Sequence, residues 1–428
     1  MEGAVRRLRI GRAIPLGCAL AALWTAPAYA DSDLKLFTLS NFELSGDVRV
    51  AAVNGEQSWV DRGFGKLRSG SDGHLSIEPQ LGNASLVWKP QFTWSVGAVV
   101  VGQVEGGQRT EAGLSQAYFT YRPMRSSNIA FSARAGLMWP PVSLEHEGTD
   151  WHVRDSITPS AINSWIGEEV KPLAAEGTIA AKLAENRIRA TAAIMVANDT
   201  AGTLLTFRGW ALHDRTTLAF RDEPLPPMGV FTTIQAPDTH PLNDIHRGFA
   251  RHLGYYAKLS WQPPAPIRFE LFHYDNRANP EDSTPQLVPE WGWRTRFTDL
   301  GVVADLGSGL QLKGQALEGR TRMGFPMPSR WVDERFRAAY LMITQSFGRF
   351  GLAARADVFG TDNRGSLWDA EYDEHGWAGM IAAKRDWSHV TTLVELLRVR
   401  SSTPAREYLA EGPQQSQTQL QAEVRMHW

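Results

Sequence analysis

The 428-residue sequence contains a single cysteine, Cys18, and it lies in a segment with the features of an export signal. Four arginines precede an apolar stretch at residues 13–24, and Ala28-Tyr29-Ala30 follows as a small-residue cleavage site. A lipoprotein site at Cys18 is the alternative, but the apolar run continues past it. We therefore predict a signal peptide at residues 1–30. The mature chain then lacks cysteine, which excludes disulfides, thiolate nucleophiles and cysteine-ligated metals.

Long apolar runs and an excess of basic residues are also missing. No mature stretch approaches 18 consecutive apolar residues, which excludes a helical membrane protein. Removing four arginines and one glutamate with the signal leaves 40 basic and 45 acidic residues, so nucleic acid is excluded as a partner. What is present, in an exported chain, is 38 glycines and 16 tryptophans. Together these features indicate one outer-membrane β-barrel domain over residues 31–428.

Segments of about ten residues with alternating apolar and polar side chains recur along the mature chain, as expected for strands between lipid and water. Short periplasmic turns are predicted at 89–90, 122–127, 185–186, 213–214, 262–266, 307–309, 348 and 386–388. Longer outer loops are predicted at 54–73, 106–111, 140–172, 199–202, 222–248, 278–290, 321–334, 362–375 and 401–415. The result is an all-β, antiparallel transmembrane barrel of about eighteen strands. Sixteen strands is the alternative, if residues 203–221 fold differently.

The final stretch, QLQAEVRMHW at 419–428, alternates strictly and ends on Trp428. Its apolar residues from Leu420 to Met426 are expected to face lipid, and Glu423 and Arg425 to face water. We predict that Trp428 is part of a terminal signal recognised by the barrel-assembly machinery and that its ring lies at the membrane interface.

Charged residues of both signs alternate with the predicted lipid-facing residues. The alternative to a barrel is a soluble β-sandwich, but a sandwich would need a second sheet to cover every apolar face. The basic residues predicted to line the pore are Arg49, Arg134, Arg189, Lys258, Arg268, Lys313, Arg337 and Arg355, with Lys182 and Arg425 on the same face. The acidic residues on that face are Glu43, Asp47, Glu78, Glu176, Glu270, Asp357 and Glu423. A lumen of this kind must be wet, and its modest basic excess indicates a weak preference for anions.

The longest connection, residues 140–172, is the third outer loop on this count. Thr158 as N-cap and Pro159 at the first helical position predict a short helix within it. Its charges are mostly acidic: Glu145, Glu147, Asp150, Asp155, Glu168 and Glu169, with Arg154 among the few bases. Folded into the lumen opposite basic wall residues such as Arg134 or Arg355, this loop would form a constriction with a transverse field. Packing on the barrel rim is the alternative.

Several runs resemble porin-type outer-membrane proteins of the phosphate-selective porin O and P superfamily. They are AYFTYRP at 117–123, ARAGLMWPPVSLE at 133–145, TPSAINSWIGEEV at 158–170 and the terminal QLQAEVRMHW. The resemblance implies a sixteen- or eighteen-stranded barrel in the Gram-negative outer membrane, a possible homotrimer, and passive uptake of small hydrophilic solutes, chiefly anions. Outer-membrane lipid and lipopolysaccharide are the expected surroundings. The interspersed acidic residues depart from the arginine and lysine ladder of that superfamily, so phosphate itself is not predicted.

Two other classes of function remain as alternatives. A barrel hydrolase or metal site could use His146 and His152 with the nearby acids, or the His213-Asp214 pair. The sequence contains neither a Gly-x-Ser-x-Gly nor a His-Glu-x-x-His motif, so we predict no enzyme and no cofactor. An adhesin or receptor could instead use tryptophans in the outer loops, namely Trp151, Trp165, Trp291, Trp331 and Trp368.

Overall fold

The computed structural model describes residues 36–71, 73–106, 112–124, 128–219, 221–227, 234–245, 252–325, 331–365 and 373–428. The predicted signal peptide at residues 1–30 lies outside these ranges. Within them, sixteen strands pair in chain order, and the last pairs with the first to close an antiparallel barrel. The closing register places Arg49 opposite Glu423 and Val50 opposite Ala422.

The barrel strands are β1 Phe42–Asn54, β2 Leu75–Trp88, β3 Val96–Glu105, β4 Ala112–Tyr121, β5 Ile129–Leu137, β6 Leu173–Leu183, β7 Asn186–Val196, β8 Gly254–Gln262, β9 Ile267–Asp275, β10 Arg294–Gly307, β11 Leu310–Gly324, β12 Trp331–Phe347, β13 Phe350–Asn363, β14 Glu374–Asp386, β15 Val390–Ser402 and β16 Gln414–His427. We place the short turns on the periplasmic side, as in known outer-membrane barrels.

The connections contain the remaining regular structure. Two helices, α1 Ala161–Glu169 and α2 Thr203–Arg208, lie in the connections after β5 and β7. Short 3₁₀ helices cover Leu39–Asn41, Trp59–Asp61 and Pro404–Leu409. Two small hairpins pair His146–Glu147 with His152–Val153, and Glu223–Pro224 with Asp238–Thr239. Among the described residues, no helix is long and apolar enough to cross a membrane.

The strand count is sixteen, so the prediction of about eighteen is wrong and the alternative is correct. The two extra strands were predicted within residues 203–221, with a periplasmic turn at 213–214. Instead Thr203–Arg208 is helical between Gly202 and Gly209, both of which have positive φ angles. The residues that follow, up to 219, are buried inside the barrel. Their apolar side chains pack in the lumen. In the sequence, such residues are as hydrophobic as strand residues that face lipid, so the two cannot be distinguished by hydrophobicity.

The outer face of the barrel is apolar, as predicted for an outer-membrane protein. Leu341, Leu352, Ile381 and Leu420 each leave about half of their side-chain surface exposed on the outside. Such residues recur on the outward faces of strands around the wall, and an exposed apolar surface of this extent is typical of a membrane environment. The prediction of an outer-membrane β-barrel is therefore confirmed.

Strand β12 reverses one prediction about the two faces. Phe336, Tyr340 and Met342 point into the lumen and are buried, whereas Arg337 is exposed on the outside. The prediction that Arg337 lines the pore is therefore wrong. Alternation alone gave the opposite orientation because we assigned the charged residue to the wet lumen. Here the inner face is apolar because it packs against α1, which contacts β12 directly.

Candidate functional site

Two connections fold back into the barrel and occupy much of its lumen. We call residues 138–172 loop L3 and residues 197–253 loop L4. The cluster of buried apolar side chains that forms the core lies inside the barrel, between these loops and the inner wall. The lumen was predicted to be wet, and in the structure its width is reduced by this packing.

Loop L3 enters the lumen and reaches toward its periplasmic end. The Ser45 hydroxyl donates to Asp150 at 2.7 Å, and Arg425 donates to the Val153 carbonyl at 2.6 Å. Both Ser45 and Arg425 lie near the periplasmic ends of their strands. The predicted third outer loop thus descends inside the barrel and does not rest on its rim.

Helix α1 anchors the returning half of L3. It begins at Ala161, and Ser160 caps it by accepting a hydrogen bond from the Asn163 amide at 3.3 Å. The cap is two residues later than the predicted cap at Thr158. The Trp165 ring is fully buried and packs edge-on against Phe297, with ring centroids 5.2 Å apart. Its position on the inner wall fixes the helix across the lumen.

The strongest attachment of L3 to the wall is a buried ionic network. Arg355 on β13 donates to Glu145 of the loop at 3.0 Å and to Asp357 of its own strand at 2.8 Å. The same guanidinium also donates to the carbonyls of Thr158 and Pro159 at 2.8 and 2.9 Å. Removing one partner of such a pair would leave an uncompensated charge in a water-poor interior, which is costly.

Loop L4 crosses the lumen nearer the outer end. Arg208, the last residue of α2, pairs with Glu168 of L3 at 2.6 Å, which joins the two loops. Lys66, in the connection after β1, pairs with Glu374 at the outer end of β14 at 2.5 Å. The Leu212 amide donates to the Lys66 carbonyl at 2.8 Å. The two loops and the first outer connection therefore form one hydrogen-bonded unit within the barrel.

A cavity of about 420 Å³ remains at the periplasmic end, and we call it the vestibule. L3 forms its ceiling, and the periplasmic ends of β1, β14 and β16 form its walls. Its basic and acidic lining residues, other than histidine, are Arg49, Arg154, Lys384, Arg425, Glu43, Asp47, Asp150, Asp214 and Asp386. Burial alone would raise the pKa of Asp150, but hydrogen bonds from His152 and Ser45 lower it to about 2. The vestibule is therefore highly polar and contains both signs of charge.

Comparison with solved structures identifies the same architecture elsewhere. The outer membrane channel DcaP of Acinetobacter baumannii is 11% identical, with a TM-score of 0.53 over 91% of this chain and 99% of that chain. A loop-deletion variant of OmpT, an outer membrane protein of Vibrio cholerae, is 7% identical, with a TM-score of 0.50 over 90% and 99% of the two chains. The chain has a porin-type barrel fold. No protein-family model matches the sequence, and no curated protein matches it either.

Seven of the eight predicted pore-lining residues of this porin-type barrel lie on its inner face, and Arg337 is the exception. Most of their charges are neutralised by acidic residues of the wall and of the loops. Arg134 binds Glu176 at 2.7 Å on the adjacent strand, and Lys258 binds Glu270 at 2.6 Å. Arg268 pairs with Glu270, and Lys313 pairs with Asp155. Arg355 pairs with Glu145 and Asp357. Arg49 pairs with Asp47, Asp214 and Glu423. Arg189 has no carboxylate partner within the described ranges and is exposed at the periplasmic mouth.

The charged residues predicted for the constriction are all in L3, but they serve different contacts. Asp155 lies between Lys313 and Lys384, at 3.1 and 3.0 Å. Glu147 is exposed and pairs with Arg154 at 3.4 Å. Glu168 binds Arg208, and Glu169 accepts hydrogen bonds from the Trp165 indole and the Leu204 amide. These direct pairs neutralise loop and wall charges locally, so Glu145 and Arg355 do not face each other across an open passage.

The residues considered for catalysis contact different partners in the structure. His213 and Asp214 diverge: His213 contacts Glu168 at 3.3 Å, whereas Asp214 pairs with Arg49 at 2.6 Å. His152 is bound to Asp150 at 2.7 Å, and burial lowers the pKa of His146 to about 3. Within the described ranges, no group of three or more His, Cys, Asp or Glu residues is placed to hold a metal ion.

Two of the five tryptophans proposed for an adhesin surface lie inside the barrel. Trp165 is fully buried, and Trp151 stacks inside the barrel on Trp139 with ring centroids 4.8 Å apart. Trp291 and Trp331 are partly exposed, and Trp368 lies outside the described residues. The four of these tryptophans that the structure describes do not together form an aromatic surface on the outside of the barrel.

Sequence reasoning did not find the residues that attach L4 and the first outer connection to the lumen. Lys66, Arg68, Arg208 and Glu374 were assigned to loops or left unassigned, yet the side chains of Lys66, Arg208 and Glu374 are almost fully buried. Their partners are far away in the chain, and no local pattern encodes such pairs. The one available signal was residues 203–221, whose assignment to strands decided between eighteen and sixteen strands.

Proposed function

We propose that the protein is a porin-like channel of the Gram-negative outer membrane, through which small hydrophilic solutes diffuse passively. One observation carries the proposal: a closed wall that is apolar outside encloses charged side chains of both signs along its length. Arg425 and Glu423 lie near the periplasmic end, Arg355 at mid-height, and Glu374 near the outer end. Buried ion pairs seldom stabilise a fold better than apolar packing would, so a polar interior supports a role in solute passage.

The narrow lumen favours small solutes and a low conductance. L3 and L4 occupy much of the interior, and the vestibule of about 420 Å³ can hold only a small molecule. We propose that the path runs from the outer ends of the strands past L4 and L3 into the vestibule. Widening this path requires separating the loops from the wall at contacts such as Arg355 with Glu145.

A weak preference for anions is part of the proposal, and the periplasmic mouth supports it better than the wall does. The basic wall residues are largely paired with acids, and the vestibule lining is mixed. Arg187 and Arg189 project from the inner face of β7 at the mouth, are exposed, and have no acidic partner among the described residues. Unpaired positive charges at a pore entrance raise the local concentration of anions.

Planar-bilayer recording in a potassium chloride gradient tests both parts. The refolded protein should give small stepwise conductances, with a reversal potential on the anion-selective side. Arg187→Gln/Arg189→Gln should move the reversal potential toward zero without closing the channel. A folded barrel that never conducts would contradict the channel. An unchanged reversal potential in the double variant would contradict the assignment of selectivity to the mouth.

We further propose that the barrel forms a homotrimer. The outer faces of β2 and β7 stay apolar to their outer ends, with Leu75, Ile77 and Ile194 each more than half exposed. A wall of this kind can pack against another copy as well as against lipid. Light scattering of the purified protein should give three times the mass of one chain after detergent correction, and a monomer mass would exclude the trimer.

A further inference from the structure

Six arginines project from the outer face of three neighbouring strands, near the outer ends of those strands. They form the outer arginine band, consisting of Arg294, Arg296, Arg320, Arg322, Arg335 and Arg337. The alternating residues Thr295, Thr321 and Phe336 are buried toward the lumen, which fixes the orientation of the band. This is where the misassigned Arg337 lies.

The pairing register brings like charges together. Arg296 is opposite Arg320, and Arg320 is opposite Arg335, so three arginines form one row across β10, β11 and β12. Arg294 is opposite Arg322 in the next row. Like charges directly opposite each other destabilise a sheet. Binding of a negatively charged partner would relieve the repulsion among these arginines.

Acids within the barrel neutralise only part of the band. Asp333 binds Arg320, and Asp275 lies 3.4 Å from Arg294. The other four arginines form no ion pair with any residue that the structure describes, and Arg296, Arg335 and Arg337 are exposed. Glu318 lies opposite Arg337, but the two side chains are not in salt-bridge contact. A net positive charge therefore remains on the outer surface.

The band lies at the height of the upper membrane boundary. On β11 the outward residues from the periplasmic turn to Arg320 are Leu310, Leu312, Gly314 and Ala316, followed by Glu318 at the level of Arg337. About ten strand residues, at roughly 3.3 Å each and a tilt near 40°, rise about 25 Å, which is the typical height of the apolar band. The arginines begin where the hydrocarbon ends and lipid headgroups begin.

We propose that the outer arginine band binds the phosphate groups of an anionic lipid of the outer leaflet. Guanidinium groups form paired, charge-assisted hydrogen bonds with phosphate, and a row of them fits a headgroup that carries more than one phosphate. The apolar surface directly below the band contacts the acyl chains of the same lipid. This assignment rests on the outer-membrane position of the barrel and is independent of conduction.

Native mass spectrometry of the refolded full chain in detergent tests the assignment, with lipid A carrying two phosphates as the probe. We compare wild type with Arg296→Gln/Arg335→Gln/Arg337→Gln. Because each basic residue near an anionic surface contributes a factor of about five, the triple variant should bind on the order of a hundredfold more weakly. The matched control removes three exposed arginines at the periplasmic end, Arg122→Gln/Arg349→Gln/Arg385→Gln, and should bind like wild type.

Dephosphorylated lipid A should bind wild type as weakly as lipid A binds the triple variant, and inorganic phosphate at equal concentration should not displace lipid A. Equal binding of lipid A by wild type and the triple variant would overturn the proposal. So would binding that is insensitive to the phosphates, or a triple variant whose only defect is a changed oligomeric state. Heat-modifiable gel migration verifies folding. Conductance of the triple variant in neutral phosphatidylcholine should match wild type, which separates this test from that of the channel.

Discussion

At the scale of single residues, the interior is organised by a few charged groups that each satisfy several partners. Glu145 accepts hydrogen bonds from Arg355, from the Ser160 amide and from the Asn163 side-chain amide. It thus connects the wall, the N-terminus of α1 and the descending part of L3. Glu147, two residues later, is exposed and makes one long contact with Arg154. These two glutamates therefore differ in function despite their proximity.

Glu145→Gln should loosen L3, whereas Glu147→Gln should not. Removing the buried carboxylate leaves Arg355 with one fewer counter-charge, and breaking a buried pair of this kind costs about 3–5 kcal/mol. We expect larger or noisier single-channel conductance for Glu145→Gln and a wild-type trace for Glu147→Gln, which serves as the matched control. Identical traces for both variants would show that L3 attachment does not limit the conductance.

His240 gives L4 a dependence on pH. Hydrogen bonds to Asp222 and Glu290 raise the pKa of His240 to about 10, with distances of 2.8 and 2.7 Å. Because the folded-state pKa lies above the ordinary value near 6.5, the stabilisation is complete below about pH 6.5 and is lost as pH rises through about 10. The side chain is partly exposed, so solvent screening reduces the effect.

Limited proteolysis across pH tests this contribution. Cleavage within L4 of the wild type should increase progressively between about pH 6.5 and 10, the interval over which the folded state retains the His240 proton and the unfolded state loses it. His240→Gln should be cleaved more readily at pH 7 and should show no further step at high pH. If His240→Gln shows the same rise in cleavage with pH as the wild type, the rise is caused by another titrating group.

At the scale of elements, L3 is held in the lumen by α1 as much as by its charges. Trp165 packs against Phe297, Phe336 and Trp210, with ring centroids 5.1 to 5.9 Å apart, and its indole donates to Glu169 at 2.6 Å. The barrel strands are paired by backbone hydrogen bonds that do not involve this helix. Release of α1 should therefore change the lumen without unfolding the wall.

Trp165→Ala should open the lumen while preserving the barrel. Replacing a buried tryptophan by alanine costs about 3–5 kcal/mol, enough to weaken docking of the helix. We expect a several-fold increase in conductance with normal heat-modifiable migration. Trp261→Ala, which removes a partly exposed tryptophan from the lipid-facing side of β8, is the control and should conduct like wild type. A loss of the folded band for Trp165→Ala alone would mean that L3 is required for the wall itself.

At the scale of the whole molecule, closure depends on the pairing of β1 with β16. Trp428 extends this pairing beyond β16, because its backbone exchanges two hydrogen bonds with Leu44, at 2.9 and 3.1 Å. Trp428 is 62% exposed at the periplasmic end of the barrel, where it also borders the vestibule. The residue thus contributes to closure, and we expect its ring to lie at the membrane interface.

Deleting Trp428 should lower the yield of folded barrel in the outer membrane, and Trp428→Phe should retain it. The deletion removes the last closing hydrogen bonds and the interfacial ring together, whereas phenylalanine keeps both a backbone and an aromatic ring. Quantifying heat-modifiable protein in outer-membrane fractions measures the outcome. Wild-type yield for the deletion would contradict a role for Trp428 in assembly.

The sequence by itself determined the barrel class, because alternation of apolar and polar residues is a local property that survives wherever a strand faces lipid. It also determined which residues face lipid and which face the lumen in strands such as β13, where Arg355 alternates with lipid-facing alanines. Tertiary structure decided the strand number and the direction of Arg337. Buried apolar residues inside the lumen, at 203–219 and on the inner face of β12, have the same hydrophobicity as residues that face lipid.

Only the tertiary structure also decided which charges meet. Arg49 pairs with Asp214, and Lys66 with Glu374, across separations in the chain that no local spacing can specify. Seven predicted pore-lining residues do face inward, but six of them are neutralised by partners identified only in three dimensions. The inner surface therefore follows from the sequence, whereas its net field and the width of the passage depend on how L3 and L4 fold within the closed wall.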